Sequence, residues 1–109
     1  MNYRLCAFAD EADQLLTGQI AAMQRNGISL LEIRGVDGEN ISALSPAKVK
    51  EVAHLLKENG LAVWSIGSPT GKIKLSDDWN AHVDSFKGML DAAAVFGTKA
   101  FRMFSFYDA

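Results

Sequence analysis

The feature that most constrains this chain is a unit that occurs three times: an amphipathic stretch ends at a glycine, and a short apolar run follows. The glycines are Gly27, Gly60 and Gly97, and asparagine precedes the first two. Glycine favours the end of a helix, because it adopts a left-handed backbone without steric cost. The repeat therefore predicts helices that alternate with strands.

Two further signals support the helices. Ser45 before Pro46 predicts the start of the second helix, because serine caps helices and proline fits their first turn. Residues 76–78 (Ser-Asp-Asp) supply acceptors and negative charge before the third helix. Apolar residues recur at helical spacing in each stretch, as Leu16, Ile20 and Met23, as Val49, Val52, Ala53 and Leu56, and as Val83, Phe86, Leu90 and Ala93.

The apolar runs predict four strands, at residues 4–9, 28–34, 61–66 and 100–106. Nearly continuous apolar strands are typical of parallel sheets, which are covered on both faces. The sequence thus predicts one α/β domain over residues 1–109, with the order β-α-β-α-β-α-β. Long loops at 35–45 and 67–77 follow the second and third strands, where α/β proteins place their sites.

Charge and composition exclude several classes of protein. The formal net charge is −2 and the 11 basic residues are scattered, which argues against nucleic acid as a partner. No apolar run approaches the roughly 20 residues that cross a bilayer. The single cysteine, Cys6, cannot form an internal disulfide, so we expect a reducing cytoplasm. Cys6 itself is predicted to be a small buried residue of the first strand.

Charged residues inside predicted strands point to two possible roles. Glu32 and Arg34 leave the same face of strand two, and Arg102 lies within the apolar strand four. Charges in buried strands are costly unless they are paired. The three either pair with one another as a structural network or face a polar interior that binds a ligand. Hydroxyl donors for a substrate lie near the strand ends, namely Ser65, Ser68 and Ser105.

Other motifs favour structural roles. The segment 67–72 lacks the spacing of a phosphate-binding P-loop. Asp10 and Glu11 suit a Mg²⁺ site less well than the start of the first helix, because the further acids and lysine of such a site are missing. His54 and His82 lie in helices without metal-ligand spacing and are predicted at the surface or its boundary. Trp64 and Trp79 are predicted to pack or to line the loop rim.

Four segments, at residues 8–11, 26–34, 56–61 and 96–105, give the sequence a resemblance to the sugar phosphate isomerase/epimerase family of xylose isomerase-like TIM barrels. The resemblance implies a (β/α)₈ barrel that isomerises or epimerises sugars and polyols, or dehydrates related substrates, through enediolate-type proton transfer. It also implies a divalent metal (Mn²⁺, Mg²⁺, Zn²⁺ or Co²⁺), held with the catalytic acids by the second half of the barrel.

Such a barrel needs about 250 residues, whereas this sequence has 109. We therefore expect a four-strand, three-helix N-terminal half that lacks the metal and catalytic residues and is inactive alone. The metal is expected only in a complete barrel. The substrate-side positions that the resemblance implies in this half are Glu32, Arg34, Ser65, Ser68, Arg102 and Ser105.

Two further expectations concern the isolated chain: whether it self-associates, and whether it could be a self-contained domain of another fold. Open edges at strands one and four predict self-association, with a homodimer as one form. An alternative is a free-standing flavodoxin-like domain that binds a partner or small ligand without catalysis. That alternative requires the strand order to reverse about strand one.

Overall fold

The computed structural model describes residues 3–106, so residues 1–2 and 107–109 of the predicted domain lie outside it. The three predicted helices are present as α1 (Leu16–Arg25), α2 (Pro46–Glu58) and α3 (Trp79–Phe96). The strands are β1 (Cys6–Ala7), β2 (Leu30–Ile33), β3 (Gly35–Val36), β4 (Glu39–Asn40) and β5 (Ala62–Ile66). Two 3₁₀ turns cover Ala9–Glu11 and Ile41–Ala43.

The main sheet is parallel and has the order β1-β2-β5. Leu31 of β2 pairs with Val63, and the next residue, Glu32, pairs with Ser65, so Trp64 is an extra residue of β5 at this irregularity. Because the order follows the chain, with β1 at an edge, the strand order does not reverse about β1. The flavodoxin-like alternative is therefore wrong, and the predicted α/β class with parallel strands is confirmed.

The fourth predicted strand is reduced to a single parallel bridge between Ile66 and Phe101. Ile66 donates its amide to the Ala100 carbonyl at 2.8 Å, and the amide of Arg102 donates to Ile66 at 2.9 Å. Beyond this bridge the amide of Phe104 donates to the carbonyl of Thr70 at 2.8 Å. Since Thr70 belongs to the loop after β5, the chain leaves the edge of β5 and the ladder stops.

The predicted loop at 35–45 contains a hairpin that we did not predict. Antiparallel β3 and β4 are joined by Asp37 and Gly38, both with positive φ (53° and 81°). An Asp-Gly pair favours this kind of two-residue turn. Asp37 also accepts the amide of Leu16 at 2.8 Å, which is the role we had expected of Asp10 and Glu11. That expectation is wrong, because those acids face Arg34 instead.

The helices begin and end largely where the sequence predicts. Ser45 accepts the amide of Lys48 at 3.1 Å, Asp78 accepts the amide of Ala81 at 3.2 Å, and Gly97 has a φ of 75°. In α3, however, the buried residue is Met89 (2% exposed) and not the predicted Leu90 (44% exposed). The helix carries two adjacent apolar stripes, and the one that starts at Met89 and continues through Ala92 and Ala93 faces the core.

The hydrophobic core lies between the sheet and the helices. The buried residues of β2 and β5 that point toward the helices are Leu31, Ile33, Val63 and Ile66. The helices contribute Leu16, Ile20, Met23, Val52, Leu56, Met89 and Ala93. The other face of the sheet, called the inner face below, points away from the helices because strand side chains alternate.

Candidate functional site

An open cavity of about 540 Å³ lies on the inner face of the sheet. Its polar side chains come from three parts of the chain: Glu32 from β2, Ser65 from β5 and Arg102 from the segment beside β5. Phe8 and Trp64 supply apolar surface, and Trp64 is 47% exposed. Three of the six predicted site residues are thus brought together.

The Glu32 carboxylate is held at one oxygen and has no hydrogen-bond partner at the other. Ser65 donates its hydroxyl to Oε1 at 2.6 Å. Oε2 is buried and, among the described residues, has no hydrogen-bond partner. A Cβ on Gly67 would lie only 3.3 Å from Oε2, so glycine leaves the carboxylate room. A buried acceptor without a partner is costly, which makes Glu32 the most unusual group of the cavity.

Arg102 is oriented by backbone carbonyls and aromatic rings. Its guanidinium donates to the carbonyls of Gly67 (3.2 Å) and Ser68 (3.4 Å). It lies 4.8 Å from the ring centroid of Phe104 and 5.7 Å from that of Phe8. Within residues 3–106, Arg102 forms no ion pair with Glu32. The predicted structural network of Glu32, Arg34 and Arg102 is therefore wrong.

Arg34 belongs to a separate recess near the hairpin. Its guanidinium makes a two-point contact with Asp10, both distances being 2.8 Å, and Glu11 lies 3.6 Å away. The hydrogen bonds that Arg34 donates to Asp10 raise the pKa of Arg34, although partial burial acts in the opposite direction. Phe8 lies near both arginines, with its ring centroid 4.3 Å from the Arg34 guanidinium and 5.7 Å from that of Arg102. Sequence reasoning did not assign Phe8 to the site, although segment 8–11 carried part of the family resemblance.

The other two serines do not line the inner-face cavity. Ser68 is completely buried, and its hydroxyl accepts the amide of Thr70 at 2.8 Å, so it stabilises the loop. Ser105 is exposed, and no hydrogen bond involves its side chain within the described residues. Their positions in sequence near the strand ends could not reveal these orientations, which depend on how the segment after β5 folds.

Cys6 is exposed, so the prediction of a buried cysteine is wrong. It points to the inner face, which no helix among the described residues covers. Partial burial nevertheless raises the pKa of the Cys6 thiol, and the charge of Glu32 raises it further. The pKa of the Cys6 thiol therefore depends in part on the charge of the Glu32 carboxylate.

The histidines lie where the sequence predicts, at the surface and its boundary. His54 is exposed and contacts Glu58 at 2.9 Å. His82 is partly buried, and its Nε2 accepts the amide of Gly71 at 2.9 Å. No group of three His, Cys, Asp or Glu side chains within residues 3–106 suits a metal ion. The donors of this part of the chain therefore do not fit the divalent metal that the family resemblance implies.

Comparison with known proteins identifies a fold relative. No family model and no curated protein matches the sequence. The structure matches the crystal structure of the probable 3-DHS dehydratase AsbF, involved in petrobactin synthesis, from Bacillus anthracis. The TM-score is 0.65 at 24% identity, over 95% of this chain. The relative is a xylose isomerase-like TIM barrel.

The match shows the fold and its extent. This chain spans 38% of the length of the relative. Its three parallel strands and three helices therefore resemble part of a TIM-barrel-like fold. No helix among the described residues is long and apolar enough to cross a membrane.

Proposed function

We propose that this chain is the N-terminal part of a sugar isomerase- or epimerase-like barrel, and that its inner face binds a small sugar or polyol. The observation that carries the proposal is the grouping of Glu32, Ser65 and Arg102 in one open cavity, with Glu32 Oε2 buried and without a partner. These charges do not bind one another, so a ligand is the partner that would offset their cost.

The chemistry of the cavity suits a polyhydroxylated molecule. The carboxylate of Glu32 accepts hydrogen bonds from hydroxyl groups, and the guanidinium of Arg102 donates to hydroxyl or carbonyl oxygens. Trp64 and Phe8 supply apolar surface for the carbon skeleton. The volume of about 540 Å³ lies within the usual range for small-molecule sites.

The proposed reaction is proton transfer next to a carbonyl, and its acids and bases belong to the rest of the barrel. This chain alone is proposed to be inactive, with a divalent metal present only in the complete protein. The name of the fold relative, a probable dehydratase, makes dehydration a related possibility for the whole protein. In each case the role of this part is to hold and orient the substrate.

The proposal is tested first by reading the source gene beyond the codon of Ala109. We expect about 150 further residues, as a whole barrel requires. A stop codon directly after Ala109 would contradict the proposal.

The full-length protein is then incubated in D₂O with a panel of sugars and polyols, and deuterium at the carbon beside the carbonyl is measured. We expect Glu32→Gln to raise KM at least about tenfold, whereas Glu39→Gln, an exposed control, leaves KM unchanged. Equal KM values in both variants would show that Glu32 does not bind the substrate.

We also propose that the isolated chain self-associates through the open face and edges of its sheet, with a second copy as partner. Large apolar side chains are exposed around this region, namely Leu5, Trp64, Met103, Phe104 and Phe106. Unpaired strand edges favour pairing with another chain. Light scattering across a concentration series is expected to show mass above one chain, and a constant mass of one chain would contradict this.

A further inference from the structure

The loop after β5 is held by a histidine of α3. The backbone amide of Gly71 donates to Nε2 of His82 at 2.9 Å. An imidazole nitrogen accepts a hydrogen bond only when it carries no proton. The contact therefore requires a neutral imidazole whose proton is on Nδ1.

The same loop orients Arg102 by two routes. Its carbonyls at Gly67 and Ser68 accept hydrogen bonds from the Arg102 guanidinium. Its carbonyl at Thr70 accepts the amide of Phe104, whose ring lies 4.8 Å from the same guanidinium. A change in the conformation of the loop would therefore alter the orientation of Arg102, both through its hydrogen bonds to the loop and through the ring of Phe104.

Gly71 is the point at which the loop is most tightly packed. Its φ is +86°, and a Cβ there would collide with the carbonyl oxygen of Phe104. His82 packs beside this point, with ring centroids 6.3 Å from Phe106 and 6.4 Å from Trp79. The imidazole thus joins α3, the loop and the segment that carries Arg102.

We propose that His82 is a positioning residue: its unprotonated Nε2 holds Gly71 and so keeps the loop in the conformation that aligns Arg102 on the inner face. Protonation of the ring converts the acceptor into a donor, and the amide of Gly71 loses its partner. The inference rests on the proposed function only for the substrate that Arg102 would meet. The link from His82 to Arg102 is a property of this chain alone.

The charged groups around His82 do not provide another explanation for its orientation. Lys72 follows Gly71 in the loop, with its ammonium 5.5 Å from the Phe104 ring centroid. Asp78 caps the start of α3 and Asp84 lies on the helix, on either side of His82 in sequence, and residues 103–106 carry no charged side chain. Within the part of the chain that the structure describes, none of these forms an ion pair with His82.

The test is a pH titration of the ¹⁵N-labelled chain by NMR, from about pH 8 to about pH 5. In the neutral form of the imidazole we expect the Nδ1–H tautomer of His82, because Nε2 accepts the amide of Gly71. As His82 protonates, the protection factor of the Gly71 amide (its exchange rate relative to an unstructured chain at the same pH) is expected to fall about tenfold, the loss of one hydrogen bond. The Nε–H resonance of Arg102 is expected to shift with the same midpoint.

Three variants separate this role from general stability. His82→Gln keeps an acceptor that does not titrate, so Gly71 remains protected and the pH dependence of Arg102 disappears. His82→Leu removes the acceptor, so the protection factor of the Gly71 amide is low at every pH. The matched control is His54→Gln, because His54 lies exposed on α2 and contacts Glu58, and it should leave both signals unchanged.

The proposal is overturned if His82 is the Nε2–H tautomer, or if the Gly71 and Arg102 signals are the same in all three variants. No substrate takes part in these measurements. A failure of sugar binding would therefore reject the proposed function without affecting the role of His82. Failure of the NMR test would reject the role of His82 without affecting the proposed function.

Discussion

The two faces of the three-stranded sheet differ in how far this chain covers them. On the helix side, Leu31 and Ile33 are 1% exposed and Ile66 is fully buried. On the inner face, Cys6 and Trp64 are exposed and the polar side chains of the cavity converge. The helix side of the sheet therefore carries the packing that stabilises the chain, and the inner face carries its candidate chemistry.

The largest change in the free energy of unfolding is expected from a leucine-to-alanine substitution on the helix side, compared with the same substitution at an exposed position. Leu31→Ala leaves a cavity in the core and should lower the free energy of unfolding by about 3 kcal/mol. Leu5→Ala removes a side chain that is 65% exposed and should change it by less than about 0.5 kcal/mol. Urea denaturation of both variants measures the difference. Similar losses would mean that the exposed region beside β1 is packed after all.

A smaller loss of folding stability is expected from a substitution at Asp37 in the hairpin turn, on the helix side of the molecule. The hydrogen bond from Lys48 (2.6 Å), and then that from the amide of Leu16, lower the pKa of Asp37. Asp37→Asn should cost about 1 kcal/mol at pH 7, because it removes the ion pair with Lys48 and the negative charge near the start of α1. Asn is chosen because it tolerates the positive φ of this position.

The sign of the pH dependence follows from the direction of that shift. A lowered pKa means that Asp37 stabilises the folded state above the ordinary carboxyl pKa of about 4, and that this contribution is lost as pH falls through the folded value. Thermal melts of the wild type and Asp37→Asn should therefore converge in acid. Asp84→Asn, at an exposed position of α3, should show no such convergence.

The smallest expected effect is a shift in the titration of the Cys6 thiol on the inner face. Glu32→Gln removes the charge that helps to raise the pKa of Cys6, so the thiol should titrate at lower pH. The rate of alkylation against pH measures this shift, and Glu39→Gln serves as the control. An unchanged Cys6 profile would show that Glu32 does not act on the cavity as the structure implies.

Local signals predicted the local features well. Ser45, Asp78 and the glycine after each helix act through neighbouring backbone groups, so the sequence reveals them. The end of the fourth strand depends on Phe104 meeting Thr70, far away in sequence. The buried orientation of Ser68 arises in the same loop. Such features depend on packing between distant segments, which no periodic pattern records.

The site was predictable to a similar degree. Charges within apolar strands pointed to Glu32 and Arg102, because the burial of a charge needs compensation, and the structure brings both residues into one cavity. The partner of Arg34 was not predicted, since Asp10 had been interpreted as a residue that helps to start α1. Cys6 was placed in the interior because the strand pattern alone does not show that the inner face lacks a cover.

The most direct test of the central claim is a double-mutant cycle between Glu32 and Arg102. Urea denaturation of Glu32→Gln, Arg102→Met and the double variant gives their coupling free energy. If the two side chains share the inner face as separate ligand-binding groups, the coupling should stay below about 0.5 kcal/mol. A coupling of about 2 kcal/mol or more would reveal a structural ion pair and contradict the account.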